Sequence, residues 1–268
     1  MLADNLFKQG QDVKIFAGLH RNIYLGNLPK GVVKGIEFKK YPLKSGRLFQ
    51  WLNNMINHVQ IKSWQPDIIH ETYYSVLPTF KSDVVRITSV YDMIHELFSD
   101  QFSPLDITMH SKKKTIERAD HIISISHSTK NDLIKLFGVK EDKISVVHLG
   151  IDLEAFKQPK VKSQFAEQSY ILYVGSRSGY KNFYGMLKAC AISNVIKNKI
   201  MVIAFGGGDF SSQELLEINK LGFKDGFVQQ VGGSDEMLAS LYSNALCFVY
   251  PSLYEGFGLP PLEAMSAE

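Results

Sequence analysis

The chain has 268 residues, of which 45% are hydrophobic and 21% charged. That is ordinary globular composition; it excludes a disordered or fibrous chain and suits one large domain or two of about 100–150 residues each. A formal charge of +3 is too small to argue for nucleic acid as a partner, and no apolar run approaches the roughly 18–20 residues needed to span a bilayer.

In chain order, residues 1–10 look like the end of a helix closed by Gly10. Short apolar runs then alternate with amphipathic segments, the pattern of an α/β protein whose parallel sheets are wrapped by helices. Strands are expected at Val13–Ala17, Asp67–His70, Val84–Val90, His121–Ser126 and Lys143–His148. Between the first two, Lys30, Lys34, Lys39, Lys40, Lys44 and Arg47 face a single acid, Glu37, with Phe38, Tyr41 and Phe49 nearby. This mixture suits either peripheral contact with the inner, anionic membrane surface or a solvated loop with a few buried aromatics. A helix is expected over Ile107–Ala119, with Ile107, His110, Lys114 and Arg118 on one face. A second runs from about His127 to Phe137, capped by Ser126 and closed by Gly138.

His148-Leu149-Gly150-Ile151-Asp152 leads into a polar stretch, so the expected division is a first domain over 1–152, a linker over 153–168 and a second domain over 169–268. In the second, strands are expected at Tyr170–Val174, Lys199–Phe205, Phe227–Val231 and Ala245–Tyr250. Helices are expected at Lys181–Ser193, Ser211–Leu221 and Ser234–Asn244, with a last one beginning near Pro260. The chain opens without the usual strand and glycine-rich turn, and its last helix stops after barely two turns. It is therefore expected to be a fragment whose domains are both incomplete. Cys190 and Cys247 lie in apolar stretches without Cys-x-x-Cys spacing and suit buried free thiols in a reducing cytosol. With no signal pattern at the start, a cytoplasmic protein is expected.

The most informative stretch is Tyr250 to Met265. A strand runs into a glycine-rich turn, and Pro260 or Pro261 then starts a helix, where proline is favoured in the first turn. The backbone N–H groups of Gly256, Phe257, Gly258 and Leu259 can converge on an anion at that helix N-terminus. Glu255 sits at the C-terminal end of the strand, the usual ligand crevice of such sheets. Glu263 lies one turn inside the helix, and both carboxylates can grip paired sugar hydroxyls. Taken singly, Glu263 could merely favour the helix N-terminus and Glu255 could merely cap a turn. A second site follows strand Tyr170–Val174, where Arg177 and Lys181 can converge on a diphosphate or can be two surface cations beside a turn. No Asp-x-Asp cluster is present to hold a divalent metal, so fixed cations would carry the charge of a leaving diphosphate, with neither metal nor cofactor.

Rival motifs fail. Gly206-Gly207-Gly208 is followed by Ser211 where a dinucleotide fingerprint needs glycine, which disfavours an oxidoreductase, and there is no phosphate loop ending in Gly-Lys-Ser/Thr. His95-Glu96 begins like a zinc-protease motif, but Ser99 stands where the second histidine should be. No lysine is in a setting suited to pyridoxal phosphate, which disfavours a phosphorylase of similar fold.

Together these residues resemble glycosyltransferase family 4 of the GT-B group. The family hallmark, two glutamates separated by seven residues in a P-S-x-x-E-G-F-G-L-P-x-L-E-A-M segment, is matched at Pro251–Met265. Val231-Gly232-Gly233-Ser234-Asp235-Glu236, with Leu241-Tyr242 and Ala245, resembles its nucleotide-base cradle, and Gly175, Arg177 and Lys181-Asn182 its diphosphate clamp. Ala119 to Ser126 and Lys143 to Asp152 match its run into the hinge. The resemblance implies two Rossmann-like domains facing a cleft. It also implies transfer of a hexose from a nucleotide sugar, with retained configuration, to a glycan or lipid-linked acceptor. Arg177 and Lys181 would stabilise the leaving diphosphate, Glu255 would hold the donor sugar, and Glu263 the ribose. Where many relatives carry His-Asp, this chain has Tyr91-Asp92, followed by Met93-Ile94-His95-Glu96 as in some bacterial polysaccharide enzymes, several of them mannosyltransferases. GDP-mannose is thus the favoured donor and a UDP-hexose the runner-up. A nucleotide-sugar-binding fragment without transfer activity is the alternative.

Overall fold

A computed structural model describes residues 2–38, 46–76, 84–151, 153–157, 161–177 and 179–267. Lys39, Lys40, Tyr41, Lys44, Asp152 and Ser178 lie outside the described residues. The chain divides into two compact units, Met1–Ser89 with His110–Ile122, and Val90–Met109 with Ile123–Glu268.

The first unit opens with α1 (Leu2–Lys8), after which Gly10 adopts φ 83°, the left-handed conformation that ends the helix. Strand β1 (Ile15–His20) pairs in parallel with β2 (Val33–Glu37). Neither β2 nor the following helix α2 (Gly46–Trp64) was expected from the sequence. α2 is fixed to β1 by Asn53, whose side-chain oxygen accepts from Leu19 N at 2.6 Å while its amide donates to Leu19 O at 3.0 Å. In the basic stretch, Lys30 and Lys34 are exposed, and Phe38 is half-buried against Phe49 at 5.9 Å.

Strand β3 (Ile68–Glu71) pairs in parallel with β4 (Val85–Val90), within a four-stranded sheet of order β3-β4-β5-β6 completed by β5 (His121–Ser124) and β6 (Ile144–Val146). In the first unit, Glu71 is buried between two guanidiniums: Arg86 Nη1 at 3.2 Å from Oε1 and Arg118 Nη2 at 2.7 Å from Oε2. Buried charges persist only when paired in this way. α4 (Thr108–Arg118) buries Ser111, Lys112, Thr115 and Ile116, so its core face is offset from the one shared by Ile107, His110 and Lys114.

The second unit includes α3 (Ile94–Leu97) and α5 (His127–Phe137). α5 begins and ends as its sequence demands: Ser126 Oγ accepts from Thr129 N at 3.1 Å, and Gly138 closes the helix at φ 64°. The rest is a parallel sheet of order β10-β7-β8-β9. Its strands are β7 (Tyr170–Val174), β8 (Met201–Phe205), β9 (Val228–Val231) and β10 (Cys247–Phe248). Its helices are α6 (Phe183–Ile192), α7 (Asn194–Lys199), α8 (Ser212–Lys220), α9 (Asp235–Asn244) and α10 (Leu259–Ser266).

Alternate residues of β7 and β8 feed opposite faces of this sheet, as strand pleating requires. Tyr170, Leu172, Met201 and Ile203 pack with Leu238, Leu241 and Tyr242 on one side. Ile171, Tyr173, Val202 and Ala204 pack with Phe183, Met186 and Leu187 on the other. Each buried Val, Leu, Ile, Phe or Met among them is worth about 1.5–3 kcal/mol of burial. The stretch read as a polar linker joins the first core through Phe156 and Phe165, and Ser163 N donates to Ser240 Oγ at 2.9 Å.

β10 is shorter than the expected Ala245–Tyr250 run, although Leu246 N and Val249 N still donate to Tyr170 O and Leu172 O. Pro251, with no N–H to donate, marks where the chain leaves the sheet. Both cysteines are free, but only Cys190 is buried. Cys247 is exposed because β10 is an edge strand, which corrects the expectation for that residue. Among the described residues no helix is long and apolar enough to cross a membrane.

Candidate active site

In the strand order β10-β7-β8-β9 the chain moves from β7 outward through β8 and β9 on one side and then crosses to β10 on the other. Ligands of open parallel sheets bind outside the carboxyl ends of the strands at such a switch point. The loop after β7 carries Arg177 and Lys181, and the loop after β10 carries Glu255. The two loops are tied together by Leu253 N donating to Tyr180 O at 2.8 Å and Asn182 Nδ2 donating to Pro251 O at 3.1 Å. Between them, Lys181 Nζ and Glu255 Oε1 meet at 2.6 Å, each side chain retaining under a fifth of its exposure (17% and 19%). Tyr250 also hydrogen-bonds Glu255, and burial, reinforced by the Glu255 charge, pushes its phenol up. Tyr173 is raised for the same two reasons.

Gly256 is buried against the backbone of Tyr91 and Asp92. A Cβ built on it would overlap Tyr91 O and lie 2.9 Å from Tyr91 C and 3.1 Å from Asp92 Cβ. The structure thus brings Tyr91-Asp92 to the Glu255–Gly256 turn. Asp92 Oδ1 accepts from Ile94 N at 3.0 Å, and burial raises the Tyr91 hydroxyl. Gly258, at φ 94°, turns the chain into α10, whose first turn holds Pro260 and Pro261. Among the described residues no hydrogen bond occupies the amides of Gly256, Phe257, Gly258 or Leu259, so these donors remain available to an oxygen-rich ligand.

Glu263 accepts from Tyr242 Oη at 3.0 Å; burial raises its carboxyl, and the Tyr242 bond opposes that rise. Val231 ends β9, and Gly232 begins the turn to Ser234, which caps α9 by accepting from Met237 N.

Arg177 departs from its expected setting. Its side chain is 4% exposed, and Nε and Nη2 reach Glu214 at 2.7 and 3.4 Å. Nη1 donates to Gly206 O and Gly208 O at 2.9 Å each, and Nη2 to Asp209 O at 3.0 Å. The guanidinium also lies 4.7 Å from the Phe210 ring. All of its donor nitrogens are therefore engaged, Nε by Glu214 and both Nη atoms by carbonyls of the Gly206–Asp209 turn, in which Gly206, Gly207 and Gly208 all have positive φ. Hydrogen bonding from Arg177 in turn holds the Glu214 carboxyl down at about 2.

His95 is half-buried; it stacks on Phe102 at 4.0 Å, with Asp106 at 3.5 Å. Among the described residues no group of three or more His, Cys, Asp or Glu side chains is placed to hold a metal. Sequence reasoning missed Glu214 and Asp132 and gave no role to Tyr250 or Tyr254. Only Glu214 carried a local signal: with Ser211 it forms a capping box at the start of α8.

A fold of this kind, built of parallel sheets wrapped by helices, is that of a GT-B glycosyltransferase. Residues 1–155 match the family described as Glycosyltransferase Family 4, and residues 155–268 match Glycosyl transferases group 1; the chain belongs to glycosyltransferase family 4. It is 28% identical over 209 residues to the O-antigen chain mannosyltransferase RfbU of Salmonella typhimurium, covering 78% of this chain and 56% of that protein. It is 30% identical over 193 residues to O-antigen chain mannosyltransferase B of Escherichia coli, covering 68% of this chain and 51% of that one. The chain thus spans about half the length of these relatives. In fold, it matches sucrose-phosphate synthase of Thermosynechococcus elongatus with a TM-score of 0.68 at 18% identity, over 98% of this chain and 71% of that one.

Proposed function

We propose that this chain handles the donor in a retaining, metal-independent hexosyltransferase. On this reading, mannose moves from GDP-mannose to a glycan or lipid-linked acceptor during polysaccharide synthesis at or near the inner membrane surface. The observation that carries the reading is the Lys181–Glu255 pair at the switch point of the sheet. A nucleotide sugar offers both partners something better. Its diphosphate takes the ammonium, and its sugar hydroxyls take the carboxylate, so the pair holds each group ready in the absence of donor. The open amides of Gly256, Phe257, Gly258 and Leu259 would donate to oxygens of the sugar or phosphate. Glu263, steadied by Tyr242, would take the ribose hydroxyls, with Val231 and Gly232 beside the base. The mannosyltransferase relatives support the choice of sugar.

In the reaction, the bond from the anomeric carbon to the diphosphate oxygen breaks and its electron pair leaves with the diphosphate. That oxygen takes the proton of the acceptor hydroxyl, which bonds the anomeric carbon on the same face. Lys181 neutralises the growing phosphate charge and Glu255 fixes the sugar; no enzymic nucleophile is needed. Arg177 acts through the Gly206–Asp209 turn, and reaches the diphosphate only by giving up Glu214.

Thermal melts with GDP, UDP, GDP-mannose and UDP-glucose test this. A ligand that binds only the folded state stabilises it by about 2.7 kcal/mol at a hundred times its Kd. The expected result is a saturable rise with GDP and GDP-mannose that is reduced in Lys181→Ala. A rise confined to the uridine ligands would replace the donor, and no rise with any of the four would remove the donor-site reading.

A further inference from the structure

The segment after Tyr91-Asp92 belongs to the second unit, and its side chains lie against the loops of the candidate site. The Phe98 ring is 5.5 Å from that of Tyr180 and 6.3 Å from that of Tyr254. Tyr180 immediately precedes Lys181, and Tyr254 immediately precedes Glu255. One half-buried ring therefore touches the neighbours of both members of the ion pair. Three residues on, Gln101 Oε1 accepts from Tyr180 N at 2.9 Å. Gly179 leaves room for that amide: a Cβ on Gly179 would lie 2.8 Å from Gln101 Cδ. On the far side, Tyr254 Oη donates to Asp132 Oδ2 at 2.6 Å, which fixes the ring that Phe98 packs on.

We propose that Phe98 and Gln101 are positioning residues, which set the mutual geometry of Lys181 and Glu255 from outside the site. The physical basis is rigidity. A lysine and a glutamate on separate loops stay in register only if the backbone beneath each is held, and here a single short segment holds both. The catalytic part of the inference rests on the donor-site reading above; the structural part does not. Misplacement of reacting groups by about 1 Å can lower a rate on the order of 10²-fold. Affinity for a free nucleoside diphosphate should change less than the rate, because Glu263, Val231 and Gly232 lie on other elements, in α10 and at the end of β9.

The test uses Phe98→Ala, Phe98→Tyr, Gln101→Ala and Gln101→Glu in the full chain. Without any nucleotide, labelling of Lys181 by an amine-reactive reagent is followed by mass spectrometry, with Lys224 as internal reference. Phe98→Ala and Gln101→Ala are expected to raise Lys181 labelling several-fold relative to Lys224. Phe98→Tyr, which keeps a ring, and Gln101→Glu, which keeps an acceptor for Tyr180 N, are expected to stay near the unaltered chain. In turnover, the alanine variants should lose kcat with little change in GDP-dependent melting. If Gln101→Ala leaves Lys181 labelling unchanged while the chain stays folded, or if the conservative variants fail as badly as the alanines, the inference is overturned. Failure of the donor reading shows instead as an unaltered chain that labels as expected but binds no nucleotide.

Discussion

Replacing Glu255 with Gln is expected to slow sugar transfer by at least about 10²-fold, roughly 2.7 kcal/mol of transition-state stabilisation, while leaving the chain folded. The amide is nearly isosteric, so the substitution removes charge and little else. In the free protein Glu255 is paired with Lys181 and bonded by Tyr250. Its loss leaves a lysine of 17% exposure without its counter-ion, a local penalty that donor binding relieves because the diphosphate supplies the missing charge. The expected signature is therefore a split: kcat falls steeply, whereas binding of free GDP holds or tightens. Single-turnover rates beside GDP titrations check it. Equal losses in rate and in GDP affinity would mean that Glu255 only supports the fold of the turn.

Gly256→Ala is expected to have the second largest effect, through sterics. The new methyl would meet the carbonyl carbon of Tyr91 at 2.9 Å, and that neighbour is backbone, with no flexible end to swing away. Overpacking of this sort costs about 1–3 kcal/mol. Here the strain is relieved only by moving the Tyr91-Asp92 backbone away from the turn that carries Glu255, so activity should fall on the order of 10²-fold. Gly150→Ala is the matched control, since its Cβ would enter open space at an ordinary φ. Melting points and rates for the two variants separate the effects: Gly256→Ala should lose both, and Gly150→Ala neither.

Much of this site was legible in the sequence because its chemistry is local. The turn after β10, its glycines, the prolines at the start of α10 and the two glutamates lie in one run, Tyr250 to Met265. The same holds for Ser126 and Gly138, which bound α5 by contacts within a few residues. What was not legible depends on distant partners. Arg177 looked like a free cation; only the fold shows Glu214 and the Gly206–Asp209 carbonyls around it. α2 was missed because Asn53, Asn54 and Asn57 weaken helix propensity, and its anchor is the backbone of Leu19. Phe98 and Gln101 fell in a stretch without a motif, and their roles come from Tyr180 and Tyr254, about eighty and more than a hundred and fifty positions further on. Cys247 was misjudged because apolar neighbours in sequence do not reveal that a strand lies at a sheet edge.

The most direct test of the whole account is the anomer of mannose first released when GDP-mannose turns over on the chain with water as the acceptor, read by NMR before mutarotation. α-Mannose is expected first, at a rate that collapses in Glu255→Gln. Release of β-mannose first, or release no faster than in Glu255→Gln, would contradict it.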